Sequence, residues 1–291
     1  MPDAPKAEAI IDPELPIVDP HHHLWFYSRS VLDSLGQPGN LMAQALLPAF
    51  RGKSRYLFDE FLADLNSGHN VRATVYVEVG SMHRQTGPQE LRSVGEVEFA
   101  NGMAAIAASR VFTDIAVCAG IVGSVDLRIG DPARGVLEAQ SQAGGGRYRG
   151  IRASHVVHDS NPAVLGAAFN GVPQLQLDSK FRAGFRHLAP LGLSYDAWQL
   201  EYQLSELVDL VRAFPETQVI VNHLGGLFGI GPYQGRHEER FAAWHANIRA
   251  LAECPNVAMK LGGLGMPTCG LPSSFAGSPP TSQRIARFRG K

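Results

Sequence analysis

The 291 residues are 45% hydrophobic and 18% charged, with a formal net charge of -1. That is enough apolar mass for a real core, and the balance of charge lacks the concentrated basic face that a nucleic-acid partner requires. No run of about 18 apolar residues offers a membrane span, and Met1-Pro2-Asp3-Ala4-Pro5-Lys6 lacks the charged-then-apolar build of a signal peptide.

Residues 1–16 are rich in Pro, Ala and acid and read as a loose arm, which leaves residues 17–291 as the folded domain. Ile17-Val18-Asp19 is a short apolar strand that runs into three histidines. The stretch from Trp25 to Lys53 reads as a long loop. Tyr56, Phe58, Phe61, Leu62 and Leu65 then recur at helical spacing, with Gly68 as the stop. Residues 71–79 alternate and are rich in valine, so they predict a strand. Residues 90–110 predict a helix, and the continuous apolar run 115–122 a strand buried on both faces. Residues 132–143 suit a helix with Pro132 in its first turn. Gly144-Gly145-Gly146 stops that helix, and residues 148–154 form the next strand. Residues 160–177 read as an irregular insertion. After it come a helix at 181–188, a strand at 193–198, an amphipathic helix at 204–214 stopped by Pro215, a strand at 218–223, a helix at 238–253 and a strand at 257–261.

Seven strands with helical segments after most of them predict an α/β fold, the (β/α)8 TIM barrel. A doubly wound open sheet is the alternative, but no Gly-x-Gly-x-x-Gly turn follows an early strand. From Pro267 to Pro280 the composition is that of loop, and Thr281-Ser282 could cap a short helix over 283–286. No segment remains for an eighth strand. The expectation is a barrel truncated before its last strand, with two unpaired edges that favour homo-oligomers. Cys118, Cys254 and Cys269 are too few and too scattered for a disulfide framework, and a reducing cytoplasm is the natural reading.

Asp19-Pro20-His21-His22-His23 is the strongest chemical signal. It lies at the C-terminal end of the first strand, where barrels keep their active sites. His21 and His23 alternate to the same side and could hold one divalent metal, with zinc or a related ion suiting two imidazoles. A polar histidine loop is the bland alternative. His223 closes the sixth strand before Gly225-Gly226 and could ligate, orient or polarise, or simply bond a carbonyl. Glu78, Arg152, Asp196 and Lys260 are charged residues in or at the end of apolar strands. Each faces the barrel mouth or belongs to an internal ion pair, and Arg152 could grip a substrate carboxylate by a two-pronged contact. His155 and His158 could line the mouth as well.

Together Asp19-x-His21-x-His23, Gly150-Ile151-Arg152, the stretch from Phe214-Pro215 to His223-Leu224-Gly225-Gly226, and Lys260-Leu261-Gly262-Gly263 resemble the amidohydrolase superfamily. The closer resemblance is to its amidohydrolase 2 branch of predicted metal-dependent TIM-barrel hydrolases, which includes lactonases acting on dicarboxylate and sugar lactones. It spans residues 15–287. It implies metal ligands at His21 and His23 in the branches that use metal, with His223 in the mouth, and attack of an activated water on a carbonyl. His223, Asp196 and Arg152 are then the expected catalytic set, and Arg152, Lys260, Glu78 and Asn222 the substrate-binding set. A small carboxylated lactone, ester or amide is the expected partner. Three departures accompany the resemblance. The fifth-strand histidine of relatives is missing, with Glu201 in its place. Asn222 stands where Asp is frequent, and the aspartate of the final strand is not reached. A decarboxylase of the same superfamily, or a truncated barrel that binds without turnover, stays open on these residues.

Overall fold

The structure, a computed structural model, describes residues 9–270. Seven strands form one sheet: β1 Ile17–His22, β2 Val71–Val77, β3 Ala116–Gly123, β4 Tyr148–Arg152, β5 Ser194–Ala197, β6 Val219–Val221 and β7 Val257–Met259. Each pairs in parallel with the next in sequence, and a helix follows within most of the connections. Parallel strands need such crossovers, which is why apolar periods of two and of 3.6 residues alternate along the chain.

The sheet is strongly curled. Six steps of about 4.8 Å would set β1 and β7 about 29 Å apart in a flat sheet. Instead Lys260, the residue after β7, places its Nζ 3.2 Å from Nδ1 of His21 on β1. The architecture is therefore the barrel type, with seven of its strands among the described residues and β1 and β7 each paired on one side only. The helix proposed for residues 283–286 lies outside the described residues.

Helices pack on the outside of the curl. The helix Leu204–Ala213 buries Leu204, Leu207, Val208, Leu210 and Val211, the stripe expected of one helical face against a sheet. Facing it, Tyr195 and Val219 are fully buried on their strands.

Three expectations are corrected. The stretch from Trp25 to Lys53 contains the helices Arg29–Leu35 and Leu41–Gly52, and Trp25–Phe26 pairs antiparallel with Arg55–Tyr56. Pro48 inside the second helix obscures it. The Asn40 side chain accepts from the Ala43 N–H at 2.8 Å and caps that helix, while Ala43 and Leu47 are buried on one face. Likewise the insertion at 160–177 holds the helix Pro162–Phe169, capped by Asn161 with Pro162 at its start. The predicted stop at Gly68 also moves, because the helix Phe58–Leu65 already ends at Asn66.

Candidate active site

His21, His23, Glu78, Arg152, Asp196, His223 and Lys260 each sit at or just beyond the C-terminal end of a strand. β1 sets the first of them by alternation. His22 faces outward, stacked 4.1 Å from the Phe61 ring centroid and 3.0 Å from Thr74 Oγ1. Anchoring His22 on that face turns His21 and His23 to the other. Their rings meet edge to face at 4.9 Å, with the two Nε2 atoms 3.2 Å apart. His23 Nδ1 lies 2.7 Å from the Val77 carbonyl oxygen, so that nitrogen carries the proton and donates it. Burial pushes the His23 imidazole down to about 3, and the Arg152 charge adds to the shift. Burial, then the neighbouring His23 and Lys260, holds His21 still lower.

Glu78 follows β2 and Arg152 ends β4. Arg152 Nε donates to Glu78 Oε1 at 2.6 Å, and a second nitrogen of the same guanidinium donates to the Glu78 backbone carbonyl. Both residues are buried. Desolvation raises the Glu78 carboxyl, against the pull of Arg152.

A second buried pair forms across β5, β6 and β7. Lys260 Nζ donates to Asp196 Oδ1 at 2.6 Å, and Asn222 Nδ2 donates to the same oxygen at 2.9 Å. Asp196 is fully buried and Lys260 shows 12% of its side chain to solvent. Asp196 Oδ2 and Asn222 Oδ1 have no hydrogen-bond partner among the described residues. Buried polar atoms are nearly always paired, so two such atoms side by side at a rim point to a ligand or ordered water.

His223 rides a strained turn. His223, Leu224, Gly225 and Gly226 all have positive φ, from 51° to 82°. Such backbone persists only where its surroundings enforce it, and it clusters at functional sites. Here Leu224 donates to the Lys260 carbonyl at 3.2 Å, and Trp244 Nε1 donates to the Leu224 carbonyl at 2.9 Å. A Cβ at Gly226 would stand 1.7 Å from the Gln199 carbonyl oxygen, and one at Gly263 2.7 Å from the His223 Cβ. Both positions exclude a side chain and let the turn close on the site. The His223 ring lies 4.6 Å from that of His21 and 5.6 Å from that of Trp198. Its Nδ1 is buried and has no partner among the described residues. Burial, with Arg152 and Lys260 nearby, pushes its imidazole down to about 4, so the ring is neutral at pH 7 with a lone pair to use.

The fit of a divalent ion can be judged on the donor set. Two nitrogens bound tetrahedrally to zinc at about 2.0–2.1 Å stand about 3.3 Å apart, close to the spacing of the two Nε2 atoms. The pair thus supplies two ligands. Among the described residues, no group of three or more His, Cys, Asp or Glu gathers as a ligand set. The lysine ammonium against His21 further opposes a cation there. The described residues do not complete a zinc shell.

The remaining residues divide cleanly. Glu201, which takes the sequence position of a fifth-strand histidine, is buried against Arg240 in an ion pair. Burial raises its carboxyl to about 7, and Arg240 also lies over the Tyr233 ring at 4.2 Å. His155 lines a separate cavity of about 600 Å³ with Arg92, Asp126 and Arg128. His158 binds the Gly171 carbonyl oxygen through Nδ1 at 3.2 Å. Sequence reasoning gave Trp198 no role and quoted Gly263 only within the Lys260-Leu261-Gly262-Gly263 stretch. Gly263 had a signal, since a Gly pair directly after a charged strand end marks close approach of backbone.

A family model described as amidohydrolase (Amidohydro_2) matches residues 18–288. A protein of Sinorhizobium fredii (strain NBRC 101917 / NGR234), the uncharacterized protein y4mH, is 30% identical over 253 residues, covering 87% of this chain and 74% of its own. An amidohydrolase from Burkholderia multivorans superposes with TM-score 0.57 at 20% identity in a HEPES-bound crystal, covering 86% of this chain and 71% of that one. A zinc-bound crystal of it gives TM-score 0.56 at 21% identity over the same shares. An Acinetobacter baumannii protein described as a probable 2-pyrone-4,6-dicarboxylic acid hydrolase, with citric acid bound, gives 0.52 at 11% identity, covering 86% and 71%. These structures share the fold. The family model spans nearly the whole chain and both halves of the rim just described, and the chain belongs to the amidohydrolase family as an amidohydrolase-type enzyme.

Proposed function

We propose that the protein hydrolyses a small carboxylated lactone or ester by cation-assisted attack of water. One observation supports the reading: a neutral, half-buried His223, whose buried Nδ1 has no partner among the described residues, shares a rim with the Lys260–Asp196 pair, whose second carboxylate oxygen is likewise unpartnered among them. Lys260 has three N–H donors, of which Asp196 and His21 take two. The third is available to the carbonyl oxygen of a substrate. Water attacks the carbonyl carbon while the neutral imidazole of His223 accepts its proton. Negative charge then builds on the carbonyl oxygen beside the ammonium. Collapse breaks the bond to the ring or ester oxygen, and His223 returns the proton to it. Water is consumed, and a hydroxy acid or an alcohol and acid are released.

Asp196 positions Lys260, and Asn222 positions Asp196. Arg152, held by Glu78, contributes its charge to a site suited to an acidic substrate. No step requires a metal. Three free, buried cysteines fit a reducing cytoplasm, and no helix among the described residues is long and apolar enough to cross a membrane.

The test is a panel of carboxylated lactones and esters followed by acid release, with the corresponding acids followed for carbon dioxide. Hydrolysis is expected, and His223→Asn should lower kcat by about 10²–10⁴-fold, the usual worth of a general base, with little change in thermal midpoint. Carbon dioxide release without hydrolysis would replace this reading with a decarboxylase. An unchanged kcat in the variant would remove His223 as the base.

A further inference from the structure

The pair His21 and His23 was expected to clamp a metal, and hydrogen-bond bookkeeping at the site argues otherwise. An ammonium is donor only. Lys260 Nζ lies 3.2 Å from His21 Nδ1, so that nitrogen must offer a lone pair. The one proton of the neutral ring is then on Nε2. His21 Nε2 faces His23 Nε2 at 3.2 Å, which must in turn accept, because His23 spends its own proton on the Val77 carbonyl oxygen from Nδ1 at 2.7 Å. Every donor finds one acceptor and every proton one place: Lys260 to His21, His21 to His23, His23 to the backbone of β2.

We infer that Lys260 fixes His21 in its Nε2–H tautomer, so that the first-strand histidines form a directed hydrogen-bond chain and not a metal clamp. A metal on this pair needs lone pairs on both Nε2 atoms. That requires the His21 proton on Nδ1, where it would point at an ammonium, donor against donor. It also brings a dication to a ring already in contact with a fixed positive charge, and Asp196 at 2.6 Å together with Asn222 keeps that charge in place. Histidines that ligate metals ordinarily turn the second nitrogen to a carboxylate, carbonyl or water. His23 obeys that rule and His21 breaks it. Lys260 is thus a positioning residue for His21, and its ammonium supplies the fixed cation of the site.

Two measurements test this, and neither reads turnover, so their failure is distinct from failure of the hydrolytic reading. Long-range proton–nitrogen NMR on the ¹⁵N-labelled full chain should show His21 with pyridine-type Nδ1 and pyrrole-type Nε2. Zinc titration against a chromophoric chelator should show Lys260→Met binding zinc at least tenfold more tightly than the unaltered protein, with the gain abolished by adding His21→Ala. Lys260→Met/Asp196→Asn, which removes both charges together, guards against a variant that fails to fold, and the same gain is expected. A His21 proton on Nδ1 overturns the inference. So does zinc affinity that is unchanged or weaker in both Lys260 variants.

Discussion

Two ion pairs are buried at the same rim, and they are built differently. Arg152 and Glu78 join through side chain and backbone at once, and both are almost fully enclosed. Lys260 and Asp196 join at a single oxygen, with the second oxygen, the neighbouring amide oxygen of Asn222 and Nδ1 of His223 all unpartnered among the described residues. No buried atom of the first pair lacks a partner among the described residues, and the Arg152 charge helps depress the histidines. The second keeps hydrogen-bonding capacity in reserve. A charged residue in an apolar strand therefore carries two different meanings within one barrel, and the difference lies in which atoms remain unspent.

Breaking the closed pair should have the larger effect on stability. Arg152→Met leaves Glu78 buried without its partner, a change that typically costs about 3–5 kcal/mol. Denaturant unfolding should show a loss of that size, and Glu78→Gln added to Arg152→Met should recover part of it. A loss below about 1 kcal/mol would mean that the pair is solvated and the contrast false. Asp196→Asn breaks the open pair. The amide can still accept from Asn222, and Lys260 retains His21 and a path to solvent, so the expected loss is smaller, about 1.5–3 kcal/mol for a hydrogen bond to a charged group. Activity should invert the order. At equal folded fraction, Asp196→Asn should lower kcat/KM for the carboxylated substrate more than Arg152→Met does, and the reverse ranking would assign the chemistry to the wrong pair.

How much of this contrast could be read from the chain is itself instructive. Strand ends were legible because buried strands write continuous apolar runs, and a charge at the end of one, as at Glu78 or Lys260, stands out. His21, His223 and Lys260 could therefore be named together. Their partners could not. Which anion meets which cation depends on strand order and curl, and the contact of β7 with β1 joins residues 21 and 260. The same blindness hid the tautomer of His21, which is set by that contact. The helix Leu41–Gly52 was missed for a local reason, since Pro48 overrode its cap and stripe in a reading by composition. Glu201 shows the opposite error. It stands where relatives carry a histidine, but one of its carboxylate oxygens is paired with Arg240 and the other has no partner among the described residues.

The smallest expected effect concerns pH, and it follows from which groups the rim buries uncharged. The imidazoles of His22 and His23 are lowered to about 3 and that of His223 to about 4, in each case chiefly by burial. In the unfolded chain they return to about 6.5. Between about pH 6.5 and 3 the unfolded state thus binds more protons than the folded one, so this contribution to stability is fully present above about pH 6.5 and is lost as pH falls toward 4 and then 3. Glu78 pulls the other way. Its raised carboxyl takes up a proton in the folded state first, which favours the fold as pH falls. Glu201, raised to about 7, and Glu206 pull with Glu78, while His21 is lowered alongside the other three imidazoles. Four imidazoles outweigh three carboxyls, and the thermal midpoint should decline from pH 6.5 to 4.5. His223→Asn should make that decline shallower by removing its share. A midpoint that holds level or rises over the interval would show that the histidines of the open side are already charged in the folded protein, and with that the neutral base at His223 would be lost.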